Sequence, residues 1–368
     1  MSLAGDRIGL GGGRFSHEQI ASTLSRRIQQ LIILPTEKCN FRCTYCYEDF
    51  LIGKMREPVQ QGIERLMEKR IPELSELSIS WFGGEPLAAR DVVLRLSSHA
   101  SRLCREHGVT LHGGLTTNAY VLNFALFEEL LSYDQRFFQI TLDGWGDSHD
   151  VVRRLANGGG TFARIWGNLE ATRQSRENFT ILIRVHVRRD NFVSVETLVE
   201  NIARTFGDDP RYQLDFEHLR DLGGEGGKSV ERPLSRAELQ DIEASFRALH
   251  ASILASMATT GREATRRPAA PQPTLALGEG NSSSAPDAAP YICYAAKPNS
   301  LLIRADGRIG KCTVALTDER NTIGRVNPDG TLTIDNSRLR PWVRGLADLD
   351  DRTLECPLVG LPKLASVA

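Results

Sequence analysis

Six short apolar runs, separated by longer amphipathic stretches, set the tightest limit on what this chain can fold into. Strands are expected at QLIILPT (30–36), ELSISWF (76–82), VTLHGGLTT (109–117), RFFQITLD (136–143), FTILIRVHV (179–187) and YQLDFEHL (212–219). Helical patterns fill the gaps at 57–70, 90–107, 123–133, 161–175 and 193–205. Six β/α units in order call for parallel strands joined by right-handed crossovers, the α/β fold class. The sheet is either open or closed into a partial barrel. In both, ligands gather at the carboxyl ends of the strands.

The rest of the chain changes character. Residues 1–28 form an N-terminal extension ahead of a core over 29–233. A helix is expected over 234–258, followed by a stretch at 261–290 rich in Pro, Ala, Gly and Ser, so that 234–290 reads as helix and flexible linker or lid. Structure resumes at 291, where two short β-like runs flank Asp306-Gly307, a hairpin signal. A small α+β unit is expected over 291–368. With 41% hydrophobic and 25% charged residues the chain is that of a folded, soluble protein. A net charge of −1 and no long basic run argue against nucleic acid as a partner. No apolar run approaches the ~20 residues that cross a bilayer. The first residues lack the order of a secretion signal, so a cytoplasmic location is expected.

In a reducing compartment, cysteines serve as metal ligands more often than as disulfides. Of seven, Cys104 sits alone on a helical stretch and reads as a packed thiol. Cys39, Cys43 and Cys46 crowd into EKCNFRCTYCYED (37–49), directly after the first strand. A structural zinc site wants four ligands, and His149 or His186 could supply the fourth. A redox pair would use Cys43 and Cys46 and leave Cys39 unexplained. A [4Fe–4S] cubane needs three thiolates on three irons and keeps the fourth iron open, where an amino acid's amine and carboxylate could chelate.

C-x3-C-x2-C with an aromatic residue, Tyr45, before the third cysteine resembles the signature of the radical S-adenosylmethionine (SAM) superfamily. The resemblance extends over most of residues 30–220. WFGGEPL (81–87) looks like the family's GGE motif, which places Gly83, Gly84 and Glu85 near the methionine part of SAM. TTN (116–118) matches a Thr-Asn position, Thr117 and Asn118, facing the same ligand. ITLDGWGDSHDVVR (140–153) resembles S-x-D-G…H-D-x-x-R, with Thr141 in place of serine and with Asp143 and Arg153 near ribose and carboxylate. The family implies a partial (β/α)6, TIM-like barrel and a cluster that reductively splits SAM into methionine and a 5′-deoxyadenosyl radical. That radical removes a hydrogen atom from an unactivated C–H bond, and the protein's task is positioning.

The spacing from Cys293 through Gly307 to Cys312 resembles the start of the SPASM and twitch extensions, which house auxiliary iron–sulfur clusters. The remaining cysteines of a full SPASM domain are missing, and only Cys356 follows. One auxiliary cluster is therefore implied in a β-hairpin-plus-helix domain, with Cys293, Cys312 and Cys356 as its candidate ligands.

On the sixth strand Gln213, Asp215 and Glu217 alternate with Leu214, Phe216 and His218, which sends the two sets to opposite faces. If the apolar set meets outer helices, Asp215 and Glu217 join Arg184 and His186 of the fifth strand as candidate catalytic residues in the lumen. Structural ion pairs would give the same pattern. The family resemblance implies peptide maturation, on a ribosomal precursor peptide and with an electron donor such as flavodoxin or ferredoxin. A small molecule such as a sugar, cyclitol or nucleoside is the alternative substrate. A zinc-stabilised binding protein is the alternative of another class.

Overall fold

All six apolar runs become strands, and all lie side by side in chain order. They are β1 (Ile28–Ile33), β2 (Glu76–Trp81), β3 (Thr110–Thr117), β4 (Gln135–Leu142), β5 (Thr180–Val187) and β6 (Tyr212–His218), every neighbouring pair parallel. The computed structural model describes residues 15–259 and 291–363. The expected linker over 261–290 and the first half of the N-terminal extension lie outside the described residues.

The crossovers are helical, as the periodicity requires. α1 (His17–Leu24) precedes the barrel, and α2 (Glu57–Arg70), α3 (Arg90–His107) and α4 (Phe124–Ser132) follow β1, β2 and β3. α5 (Asp147–Val152) and α6 (Phe162–Thr172) follow β4, and α7 (Phe192–Phe206) follows β5. Local chemistry sets their ends. Pro58 opens α2, where a missing N–H costs nothing. Asn123 caps α4 by accepting from the Leu126 amide at 2.9 Å. On α7, Val195, Leu198, Val199, Ile202 and Phe206 form one buried stripe. Strands covered by helices outside and packed side chains inside read as near-continuous apolar runs, and Leu31 through Leu34 are all buried. Cys104 is buried within α3.

After β6 come α8 (Gly224–Gly227) and α9 (Arg236–Thr259), the latter covering β6 through a Phe216–Phe246 stack with centroids 5.5 Å apart. The C-terminal segment then builds β7 (Ser300–Ile303), β8 (Arg308–Gly310), β9 (Gly324–Val326) and β10 (Leu332–Ile334), followed by α10 (Asn336–Val343), α11 (Gly345–Asp348) and α12 (Asp351–Glu355). The hairpin turns at Asp306-Gly307 as its sequence signals. It does not stand apart from the barrel. β7 pairs in parallel with β1, giving one ten-stranded sheet in the order β10-β9-β8-β7-β1-β2-β3-β4-β5-β6.

Candidate active site

Cys39, Cys43 and Cys46 lie on the β1–α2 connection, past the carboxyl end of β1, and all three line one cavity at that end of the barrel. The connection is pinned from outside the cavity. The Arg42 and Thr44 amides donate to the Arg154 and Val152 carbonyls at 2.9 and 3.0 Å. Burial pushes all three thiols up in pKa, Cys46 to about 12. Such thiols stay protonated unless a metal takes the proton's place. Amide donors already point at one sulfur: the Phe41 N–H reaches Cys39 Sγ at 3.3 Å and Asn118 Nδ2 reaches it at 3.9 Å.

The donor set fits a [4Fe–4S] cluster, in which three thiolates from one loop take three irons and the fourth is left for another ligand. His149 points elsewhere. Its Nδ1 accepts from the Asp143 amide at 3.2 Å and its ring meets Phe162 edge-on.

Gly83 and Gly84 sit on the β2–α3 connection and also line the cavity. Gly83 has φ +114, and a Cβ there would lie 2.3 Å from the Thr36 carbonyl oxygen. A Cβ on Gly84 would meet the Glu37 and Lys38 backbone at 2.7 Å. The glycines thus let the β2 loop lie directly on the residues leading into the cysteine loop. Glu85 is buried, with burial raising its pKa. Its carboxylate accepts from the Leu87 amide at 2.9 Å, Thr117 Oγ1 at 2.7 Å and the Asn118 amide at 2.7 Å. It ties the second strand's loop to the third strand's end. Asn118 in turn donates to Asn40 Oδ1 at 2.8 Å.

β4, β5 and the residue after α5 supply a charged wall. Thr141, Arg153, Arg184 and His186 line the cavity. Arg153 donates to Tyr45 Oη at 2.8 Å, and His186 Nδ1 approaches the same oxygen at 3.2 Å. Behind them Asp143 is fully enclosed, 3.4 Å from His186 and 3.6 Å from Arg188. Burial alone would raise its pKa, but His186, Arg153 and His149 outweigh this and hold the carboxyl well below its ordinary value. Asp143 therefore backs the wall and does not face the cavity. The cavity is lined by neither Asp215 nor Glu217. Asp215 accepts from Arg184 Nε at 2.7 Å, and Glu217 is buried beside His218 and Arg220. Arg153 Nε, Thr116 Oγ1 and Gln139 Oε1, on cavity-lining residues, are buried without a hydrogen-bond partner among the described residues. Buried polar atoms in that state call for a partner, whether water, an ion or a bound molecule.

The second group of cysteines also comes together. Cys293, Cys312 and Cys356 are close enough for each thiol of the first two to be raised by its neighbours, after burial, and Cys312 reaches about 12. The Cys293 amide donates to the Leu354 carbonyl at 2.8 Å, which seats it against α12. Lys311 lies buried beside them, and burial lowers it to about 7. Thr313, next to Cys312, reaches the first cavity.

Several residues carried no sequence signal of a role. Arg304, just past β7, makes a buried two-point ion pair with Glu37, its Nε and Nη2 at 2.8 and 2.6 Å. Glu48 lines the cavity, and burial raises it to about 8. α8 packs backbone to backbone on Tyr45–Tyr47, and Ser229 Oγ donates to the Thr44 carbonyl at 2.9 Å. The pairing of such distant positions leaves no local pattern to read.

The Radical SAM superfamily model matches residues 33–202. A GTP 3′,8-cyclase of Staphylococcus aureus is 31% identical over 137 residues, 36% of this chain and 38% of that protein. The radical SAM cyclopropyl synthase TigE of Paramaledivibacter caminithermalis is 25% identical over 153 residues, 35% of this chain and 32% of that protein. The chain thus matches about a third of the length of these curated relatives. Among solved structures, anSMEcpe with bound AdoMet and Cp18Cys peptide superposes with a TM-score of 0.52 at 19% identity, over 85% of this chain and 80% of that one. Streptococcus suis SuiB bound to precursor peptide SuiA gives 0.55 at 13%, over 89% and 67%. At those identities the likeness is one of fold. The family model runs from the last residue of β1 through the cysteine loop into α7, and over that stretch the chain matches the radical SAM superfamily.

Proposed function

We propose that this chain is a radical SAM enzyme that abstracts a hydrogen atom from a ribosomally made peptide, leading to a crosslink, thioether, epimer or oxidised residue. The observation that carries the radical chemistry is the gathering of Cys39, Cys43 and Cys46 on the wall of one cavity with Gly83, Gly84, Glu85 and Asn118. Those thiols would hold the SAM-binding [4Fe–4S] cluster, which on reduction supplies the electron that splits SAM to the 5′-deoxyadenosyl radical. The chain's own residues do the rest. Gly83 and Gly84 bring one loop onto the cysteine loop, Glu85 fixes the Thr117–Asn118 turn, and Arg153 offers an unpartnered Nε for a carboxylate. Thr141 would face the ribose. α8 packs on the cysteine loop and would shield a cluster held there from water.

The peptide substrate is supported by the fold neighbours bound to peptides. A small-molecule substrate is the second reading, favoured by the sequence likeness to a GTP 3′,8-cyclase. Cys293, Cys312 and Cys356 would hold one auxiliary cluster beside the same cavity, and a flavodoxin or ferredoxin would deliver electrons. The deciding experiment is anaerobic reconstitution with iron and sulfide, then dithionite and SAM. Formation of 5′-deoxyadenosine, abolished by Cys46→Ala, is expected. A protein with its full sulfide content that leaves SAM intact overturns the proposal.

A further inference from the structure

The wall shared by β3, β4 and β5 presents polar groups to the cavity that nothing among the described residues satisfies. Arg184 is 9% exposed and lines the cavity. Its Nε donates to Asp215, its register partner on β6, and its two terminal nitrogens have no hydrogen-bond partner among the described residues. Asp215 fixes the plane of the guanidinium, so the free nitrogens form an oriented two-pronged donor. Gln139 is 4% exposed, and its Oε1 is buried without a partner. Thr116, beside Gln139 across the β3–β4 ladder, has a buried hydroxyl in the same state. All of these lie inside the strands, whereas the cysteines, Asn118 and Arg153 lie beyond the strand ends. They belong to the barrel side of the cavity.

Charge selects the ligand. Arg184 and Asp215 cancel each other, so the pair does not require an anion from the substrate. A neutral group that accepts from Arg184 and donates to Gln139 satisfies both. A main-chain amide has one carbonyl and one N–H in fixed relation, and does this with a single group. The geometry points to Arg184 and Gln139 as the reader of an amide of the substrate's peptide backbone, with Thr116 beside it and Asp215 as the positioning residue. This deepens the peptide reading given above and rests on it.

The test uses reconstituted protein with SAM bound and no reductant, so turnover is not needed. Saturation-transfer NMR is recorded with N-acetylalanine methylamide, a neutral diamide, and with N-acetylalanine, which ends in a carboxylate. Saturable binding of the diamide is expected, with weaker binding of the carboxylate. Arg184→Gln should weaken the diamide by about tenfold or more, the loss typical of a hydrogen bond to a charged group. Arg184→Lys, which keeps the charge without the fork, should weaken it too. Should Arg184→Gln fold poorly, Asp215→Asn is expected to lower diamide binding while SAM affinity stays unchanged. Four results would overturn the inference: equal diamide binding in the folded variants, tighter binding of the carboxylate, no binding of either probe, or loss of SAM affinity in the folded variants. Failure of SAM cleavage in the earlier experiment is a separate outcome, because the diamide measurement involves no cleavage.

Discussion

At His149, burial outweighs every charge around the ring. It lowers the pKa to about 4, helped by Arg153 and opposed by Asp143, while the Asp143 amide donates to Nδ1 and so holds the neutral tautomer. A base with a depressed folded-state pKa contributes stability that is present above its unfolded value, near 6.5, and lost as pH falls through the folded one. The shift corresponds to on the order of 3 kcal/mol. Urea unfolding between pH 7 and pH 4 should show an acid loss of that size, and His149→Gln should flatten it. An unchanged slope in the variant would mean that the ring titrates freely. At this scale the sequence was legible where chemistry is local: three cysteines in one loop, two glycines before a glutamate, a Thr-Asn pair after a strand. It was silent on Arg304, whose partner Glu37 lies 267 positions away, and on Glu48, whose raised pKa depends first on the surroundings the fold packs around it. The motif singles out Asp143 but not its place behind His186, since strand alternation says nothing of depth.

Two elements hold the cysteine loop in place, and each makes a separate prediction. β7 delivers Arg304 to Glu37, two residues before Cys39, with both side chains buried. Removing one member of such a pair leaves an unmatched buried charge, at a cost of about 3–5 kcal/mol. Arg304→Met should lower stability to chemical denaturation by that amount, and adding Glu37→Gln should recover a large part of it. Additive losses in the double variant would show that the two groups act independently. From the other side, α8 lies so close that a Cβ on Gly226 would sit 2.3 Å from the Cys46 carbonyl oxygen. Gly226→Ala must push the element away, and the reconstituted cluster should bleach in air several-fold faster than in the parent protein, followed by its visible absorbance. Equal bleaching would assign shielding to another part of the chain. The hydrophobic period announced the six core strands and the long crossover helices to within three residues, because each alternation spans enough positions to be read. α8, with four glycine-rich residues, and β9 and β10, with three residues each, are too short to carry a period.

Across the whole molecule, the ten-stranded sheet makes the barrel and the C-terminal segment a single hydrogen-bonded body. Composition and the linker-like stretch at 261–290 suggest two units in sequence, but β7 pairs with β1 from Gln30↔Ser300 to Ile33↔Ile303. That pairing lies 270 positions apart in the chain, and no local signal announces it. Its consequence is testable. Without β7, the edge of β1 would expose unpaired N–H and C=O groups flanked by Leu31, Ile32 and Ile33, a template for pairing with other chains. It would also lose the Arg304 that steadies the cysteine loop. A chain cut after Pro290 should therefore be recovered mainly as aggregate and should hold less iron after reconstitution than the full chain, measured by size exclusion and iron analysis. A soluble monomer of the cut chain that binds SAM as tightly as the parent would show that the barrel closes without β7, and that the C-terminal segment serves the cavity only from outside.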